Sequence, residues 1–515
     1  MSDQFHLLPE PQLQFGVEQT AEDPHDGLAL FGPAEASPGL PDHIVIGRDE
    51  GIKLWHLWVE RMNQPASCED ITRHRPWPPF PGFDVAFGAK FPTPIRNYEI
   101  DSQLLDENSR KADRFERAYS VANQYLDPIE NKMTRLDSKP ALAVCVVPDE
   151  VFKNCRPKSY VADVSDERKS RSMTKEINAA MEDEKSGQSR MGFQLQASDL
   201  LQYGLSPDFR RQLKARVMQY DLPIQVVKES TLDVIDQVER GLPGVNPLSD
   251  RLWNMSTALF YKCGRKPWRT PWAREGVCYV GLSYRRDDRD NRTACCAAQM
   301  FLDSGDGIVF VGEFGPWYSE ESKEFHLTKE AAKELLLGTI EAYMQQDGRE
   351  LKEIFLHARS GINHDEFEGF QEACPEGVKL VGIRVRKDRF APRLFRHDDN
   401  PVASKRGRHP VLRGLFWQRT ERHGLLFTSG FKPRLATYDG WEIPVPLTVT
   451  VQWGEADIVQ VATDILGLTK LNYNACTLGE SQPITVKYSD KIGEILLANP
   501  DVPRSQWRNN FKYYV

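Results

Sequence analysis

Val277-Cys278-Tyr279-Val280-Gly281-Leu282-Ser283-Tyr284 is an apolar stretch rich in aromatic and β-branched residues, which reads as a buried strand. Two further strands follow at once, Thr293 to Leu302 and Gly307 to Val311, with turn residues between them. A helical pattern then runs from Thr328 to Gln345. After it come a strand, Glu353 to Leu356, and a helix around Asp365 to Ala373. Three antiparallel strands, a helix, a strand and another helix is the order that decides the fold of this region.

That order matches the ribonuclease H topology, with a helix from Asp250 to Lys262 leading into it. Upstream, the uninterrupted run Ala141 to Val147, ended by Pro148, suits a strand covered on both faces in a parallel sheet. Ser206-Pro207-Asp208 caps a helix from Phe209 to Tyr220, followed by a strand Ile224 to Val227. This alternation predicts a small doubly wound α/β domain over roughly residues 135–240. Residues 1–42 carry Pro, Gly and acids and read as an extended, turn-rich lead outside the core. A short strand at His43 to Gly47 and a helix from Leu54 to Met62 follow the lead. The charged stretch Asp163 to Gln188 reads as a loop or surface helix. The expected division is 1–134, a short irregular N-terminal region, then 135–245 and 246–515.

The chain of 515 residues is 40% hydrophobic, which supports packed cores and excludes a disordered composition. Its start lacks a basic and apolar leader, and no stretch approaches the length of a membrane helix. Nine cysteines show no CxxC pair, so a reducing, cytoplasmic protein without disulfides or zinc is expected. The formal net charge is −8, yet Arg384 to Arg434 holds fourteen Lys or Arg against four Asp or Glu. That local excess of +10 leaves −18 for the remainder. Such asymmetry fits either a groove for phosphates or a solvated basic face.

Three sets of residues resemble the Argonaute proteins, in particular their short prokaryotic branch. The opening Leu8 to Gly16, with Gly27 to Pro33, is similar to the lead of that branch. Asp208 to Ala215, followed by Pro223-Ile224-Gln225, resembles the phosphate-binding helix of the MID domain. Phe260 to Trp268, Gly281-Leu282-Ser283 and Pro483 to Asp490 fall in order like landmarks of a PIWI domain. The resemblance implies a Rossmann-like MID domain (135–245) followed by a ribonuclease H-like PIWI domain (246–515), an α/β fold. The preceding 134 residues are too few for the N-terminal and PAZ domains of a long member.

Arg210 and Lys214 stand four apart, on one face near a helix N-terminus, where free N–H groups and cationic side chains together suit a terminal phosphate. The resemblance adds Gln225 and Lys262 to that guide 5′-phosphate site. Eukaryotic members place another Lys four residues before Lys262, where this chain has Ala258. Prokaryotic members often use a divalent cation held partly by a C-terminal carboxylate, which implies Mg²⁺ with Val515 as a ligand. Cleaving members hold two cations on carboxylates. At the first of those positions this chain has Ser283, at the second Ser360, and only Asp490 remains. A neutral hydroxyl is a poor substitute for an anion in binding Mg²⁺, so no cleavage is expected. Glu313, Glu320 and Glu321 read as solvated loop acids, and His357 as a structural histidine. Lys405, Arg406, Arg408, Arg413, Arg419 and Arg422 are expected to follow the nucleic-acid backbone, sequence being read by base pairing.

Members of the short branch pair with a separate protein that carries an APAZ region fused to a TIR, sirtuin-like or nuclease effector. The resemblance therefore implies a prokaryotic immune sensor with a guide RNA and a single-stranded DNA target. It further implies activation of the partner, assembly into a higher oligomer, and the N-terminal 134 residues as the docking region. Two other classes stay open. One is a nuclease whose metal ligands have moved to Asp287, Asp288 and Asp290; the other is a scaffold whose basic block binds an acidic partner.

Overall fold

The computed structural model describes residues 4–36, 38–67, 78–133, 136–159, 161, 202–233, 246–286, 294–301, 307–321, 323–346, 350–395, 410–433, 435, 443–499, 503 and 506–515. The strands are β1 (Gln4–Leu7), β2 (Leu13–Gln14), β3 (Thr20–Ala21), β4 (His43–Gly47), β5 (Arg96–Glu99), β6 (Leu142–Val147), β7 (Ile224–Lys228), β8 (Val277–Arg286), β9 (Ala294–Phe301), β10 (Gly307–Gly315), β11 (Glu353–Ala358), β12 (Lys379–Lys387), β13 (Leu415–Thr420), β14 (His423–Leu426) and β15 (Leu447–Trp453). The helices are α1 (Pro24–Phe31), α2 (Asp49–Met62), α3 (Phe83–Phe87), α4 (Ser102–Ser109), α5 (Arg114–Asp127), α6 (Asp149–Asn154), α7 (Phe209–Val217), α8 (Leu248–Lys262), α9 (Lys329–Gln346), α10 (His364–Ala373), α11 (Ile458–Leu468), α12 (Ile484–Lys487) and α13 (Ser489–Leu496).

The first sheet has the order β5-β4-β6-β7, and every pairing in it is parallel. Parallel strands need helical crossovers, and these cover both faces. Ile44, Ile46, Ala143, Cys145 and Val147 pack with residues of α5 and α7, while Val45, Val144 and Val146 join the cluster holding Trp55, Trp58 and Val59 of α2. β4 and β6 are consequently buried along their whole length. Two of the four strands, β4 and β5, precede residue 135, so the sheet begins well before the expected boundary. The sequence displays β4 as a short strand, but its partners are distant in the chain and their pairing leaves no local mark.

The second sheet has nine strands in the order β1-β13-β14-β15-β12-β11-β8-β9-β10. β8, β9 and β10 form an antiparallel meander, and β11 runs parallel to both β8 and β12. The expected succession of three strands, helix, strand and helix is thus present. α9 and α10 cover one face with Leu335, Leu336 and Phe370. The other face joins the large core that contains residues of α11, α12 and α13.

The N-terminal lead differs from its expected form. β1 adds itself to the far edge of the nine-stranded sheet, pairing Gln4 to Leu7 with β13. Leu13, Phe15 and Leu28 are buried in the main core. The lead is a strap across the second sheet, its scattered apolar residues too widely spaced to read as one element. Among the described residues, no helix is long and apolar enough to cross a membrane.

Candidate nucleic-acid interface

α7 starts at Asp208, whose carboxylate accepts from the Arg211 backbone N–H at 3.1 Å. The Phe209 N–H donates to the Cys155 carbonyl. Two helix N-terminal donors are therefore already taken. Lys214 is buried, and its Nζ donates to the Val515 carbonyl at 2.5 Å and to that of Tyr514 at 3.4 Å. Lys262, in the last turn of α8, is also buried. Its Nζ donates to Gln225 Oε1 at 2.6 Å and to the Ile224 carbonyl at 3.1 Å. Arg210 lies one turn before Lys214, with its side chain open to solvent.

These groups act on one another electrostatically. Burial, and then the charge of Arg210, push the Lys262 ammonium down to about 7. Burial holds Lys214 well below the usual lysine range, with Lys262, Arg210 and Lys491 adding like-charge repulsion. Desolvation also lowers Arg210, with Asp208 opposing the shift and Arg156 and Arg211 adding to it. Lys491, on α13, is lowered by desolvation and by Lys487 and Arg210, and its Nζ sits 4.8 Å from the Tyr488 ring centre. Lys487 differs: it forms a 2.5 Å ion pair with Glu480. Among the described residues, no ion pair joins Arg210, Lys214, Lys262 or Lys491 to an Asp or Glu side chain, and Lys214 is held by the main-chain oxygen of Val515, the residue expected to supply a carboxylate. Cations gathered this closely repel one another and make a ready site for an anion.

The Mg²⁺ expected at Val515 meets a particular arrangement. An octahedral Mg²⁺ needs oxygen ligands at about 2.0–2.1 Å. The Val515 carbonyl and Gln225 Oε1 are both already engaged by lysine ammonium groups. The one group of three potential ligands among the described residues is His364, Asp365 and Glu368, exposed at the start of α10. None of these three was expected at either site.

A second constellation lies where the parallel strands β8, β11 and β12 end. Ser283 on β8 is buried, and its Oγ accepts from Gln299 Nε2 at 2.5 Å. Ser360 follows β11 in the turn Arg359-Ser360-Gly361. Asp490, in the first turn of α13, forms a 2.5 Å ion pair with Arg359. Arg384 of β12 pairs with Glu324 at 2.5 Å and donates to the Arg359 carbonyl at 3.4 Å. Glu324 also accepts from the Gly361 N–H at 3.3 Å. His357 is buried, lies 2.9 Å from the Thr485 hydroxyl, and is pushed by burial down to about 3. It is a neutral structural group. Glu320 and Glu321 are exposed, and Asp287, Asp288 and Asp290 lie outside the described residues.

No family model and no curated protein matches this sequence. Solved structures do match. Clostridium butyricum Argonaute bound to a guide DNA and a 19-mer target DNA superimposes with a TM-score of 0.62, at 13% identity, over 100% of this chain and 55% of that one. A. aeolicus Argonaute gives 0.53 at 16% identity, over 95% and 53%. Aa-Ago with externally bound siRNA gives 0.54 at 15% identity, over 99% and 56%. The chain has the Argonaute MID–PIWI fold. It spans about half the length of these structures.

In this Argonaute fold the parallel sheet is the MID part and the nine-stranded sheet the PIWI part. Arg210, Lys214, Gln225, Lys262 and Val515 lie at their junction. The basic block fares differently. Lys405, Arg406 and Arg408 lie outside the described residues. Arg413 is buried and cannot follow a nucleic-acid backbone: its guanidinium is taken by Glu10 at 2.9 Å, Thr469 Oγ1 at 2.8 Å and the Thr428 carbonyl. Arg422 is exposed, but donates to the carbonyls of Val451, Gln452 and Gly454. Arg419 remains open, over the Trp417 ring at 5.2 Å. Sequence reasoning missed Lys491 and the Arg384–Glu324 pair. Lys491 directly follows Asp490, a position weighed only for its carboxylate.

Proposed function

We propose that this chain holds an oligonucleotide by its 5′-phosphate and uses it as a guide to pair with a complementary strand. The observation that carries the reading is the cluster at the junction, where Arg210, Lys214, Lys262 and Lys491 act on one another and, among the described residues, none is ion-paired with an Asp or Glu side chain. A terminal phosphate supplies the missing negative charge and returns the amines to their protonated forms. Backbone geometry and charge hold the duplex, and base pairing reads the sequence. Clostridium butyricum Argonaute, bound to guide and target DNA, supports the reading by fold. An RNA guide and a single-stranded DNA target are the strands proposed.

Lys214 and Lys262 supply the positive charge that the sequence assigned to Mg²⁺. A magnesium ion would enter by displacing Lys214 from Val515, and guide binding in the presence of a chelator decides between the two. Cleavage is not part of the proposed function. Serines stand at two of the carboxylate positions, and Asp490 is neutralised by Arg359. The output of recognition is then carried by a separate APAZ-containing chain with a TIR, sirtuin-like or nuclease effector, in a prokaryotic immune role.

The test is to purify the chain alone and with its neighbouring gene product, then extract bound nucleic acid. The extract is end-labelled with and without phosphatase and sequenced. Short fragments of uniform length, dependent on phosphatase for labelling and lost in Arg210→Ala/Lys214→Ala, are the expected result. Absence of bound nucleic acid, with no affinity for added 5′-phosphorylated oligonucleotides, sinks the reading. Mg²⁺-dependent cutting of a paired target would favour the relocated-ligand nuclease instead.

A further inference from the structure

At the ends of β8, β11 and β12, cationic side chains stand among the positions where the sequence lacks metal-holding carboxylates. Arg359 and Arg384 are neighbours there: Ala358 pairs in register with Arg384, and the Arg384 Nε reaches the Arg359 carbonyl. Their carboxylate partners, Asp490 and Glu324, come from separate elements and close around the same turn, Arg359 to Gly361. The ends of parallel strands in an open α/β sheet are where ligands gather.

The Arg359–Asp490 pair does little for stability: its side chains are 47% and 49% exposed, and pairs this open are largely offset by solvent. A guanidinium released from such a pair gives up little, and its planar donors match a phosphodiester in a two-point contact. Ser283 and Ser360 add no charge, and Ser283 already accepts from Gln299.

We infer that Arg359 and Arg384 form a clamp for a backbone phosphate of the target strand, held ready by Asp490 and Glu324 until the target arrives. The clamp grips the strand at the position where a cleaving relative would cut, without breaking any bond. This inference rests on the proposed guide-dependent pairing. The site is a target-binding element distinct from the junction pocket that takes the guide phosphate.

The experiment uses the full chain, a 5′-phosphorylated guide oligonucleotide and a labelled complementary single-stranded DNA. Guide binding and target binding are measured separately across a salt series. Arg359→Gln and Arg384→Gln leave guide binding unchanged and weaken target binding by roughly tenfold each. Each also lowers the salt slope of target binding by about one. Asp490→Asn frees Arg359 and strengthens target binding. A pair of purely structural value would give the same sign for Arg359→Gln and Asp490→Asn, and that outcome overturns the inference. Target binding unmoved by the arginine substitutions, with guide and target both bound by the unaltered chain, overturns it alone. An unaltered chain that takes up no guide overturns both this inference and the function on which it rests.

Discussion

Lys262 carries its consequence in its titration. Its ammonium sits near 7 when folded, against an ordinary 10.5. Between those values the unfolded chain binds the extra proton, so this group makes the guide-free protein more stable as pH rises through that window. A bound phosphate reverses the balance, because it draws Lys262 back to its charged form. Guide binding is then expected to take up a proton and to weaken as pH climbs above about 7, by up to about tenfold per pH unit. Calorimetry in buffers of different ionisation enthalpy measures the proton count. An affinity for 5′-phosphorylated guide that is flat from neutral pH to two units above it would show that Lys262 does not face the phosphate. The same residue shows what a sequence can disclose. The four-residue spacing of Arg210 and Lys214 is visible in the string, whereas the partners of Lys262, Ile224 and Gln225, are far away in sequence.

At the scale of elements, β8 shows why two residues of one short motif serve different ends. Gly281 lies against α12 so closely that a Cβ there would stand 2.0 Å from the Thr485 carbonyl oxygen. Its parallel partner on β11 is His357, whose imidazole meets the Thr485 hydroxyl at 2.9 Å. The glycine is thus fixed by the approach of a helix to a strand, whereas Ser283, two positions on, is buried and accepts from Gln299. Gly281→Ala is expected to lower the free energy of unfolding by about 2–3 kcal/mol, the upper part of the range for overpacking. A denaturant midpoint equal to that of the unaltered chain would contradict the packing argument. The strands and helices from 277 to 373 were legible because each carries its own period of apolar residues. Membership of β4 and β5 in the parallel sheet was not, since pairing between distant segments has no local signature.

Over the whole molecule, the lead that reads as irregular ties itself to the PIWI part. Glu10 lies between Arg413 and Lys470, at 2.9 and 2.6 Å, and both cations are almost wholly buried. Removing one partner of such a pair costs about 3–5 kcal/mol. Arg413→Ala is therefore expected to lower stability near the bottom of that range, Lys470 remaining as partner to Glu10, and to free the strap from the sheet. Limited proteolysis before residue 36, faster in the variant, is the check; an unchanged cleavage rate would separate Arg413 from the strap. The charge count placed Arg413 among candidate phosphate contacts. Its flanks, Val411-Leu412 and Leu415-Phe416, are apolar, and an arginine is buried among such residues only when paired, as Arg413 is with Glu10. The strap also has a kinetic meaning. His6 meets Gln418 across 412 positions, and Lys214 meets Val515 across 301. Contacts of such long range form late, after the local meander of β8, β9 and β10 has had time to assemble. A chain recovering from denaturation would regain its secondary structure first and its grip on a phosphate last, so the bound strand would act as a latch on a process already nearly finished.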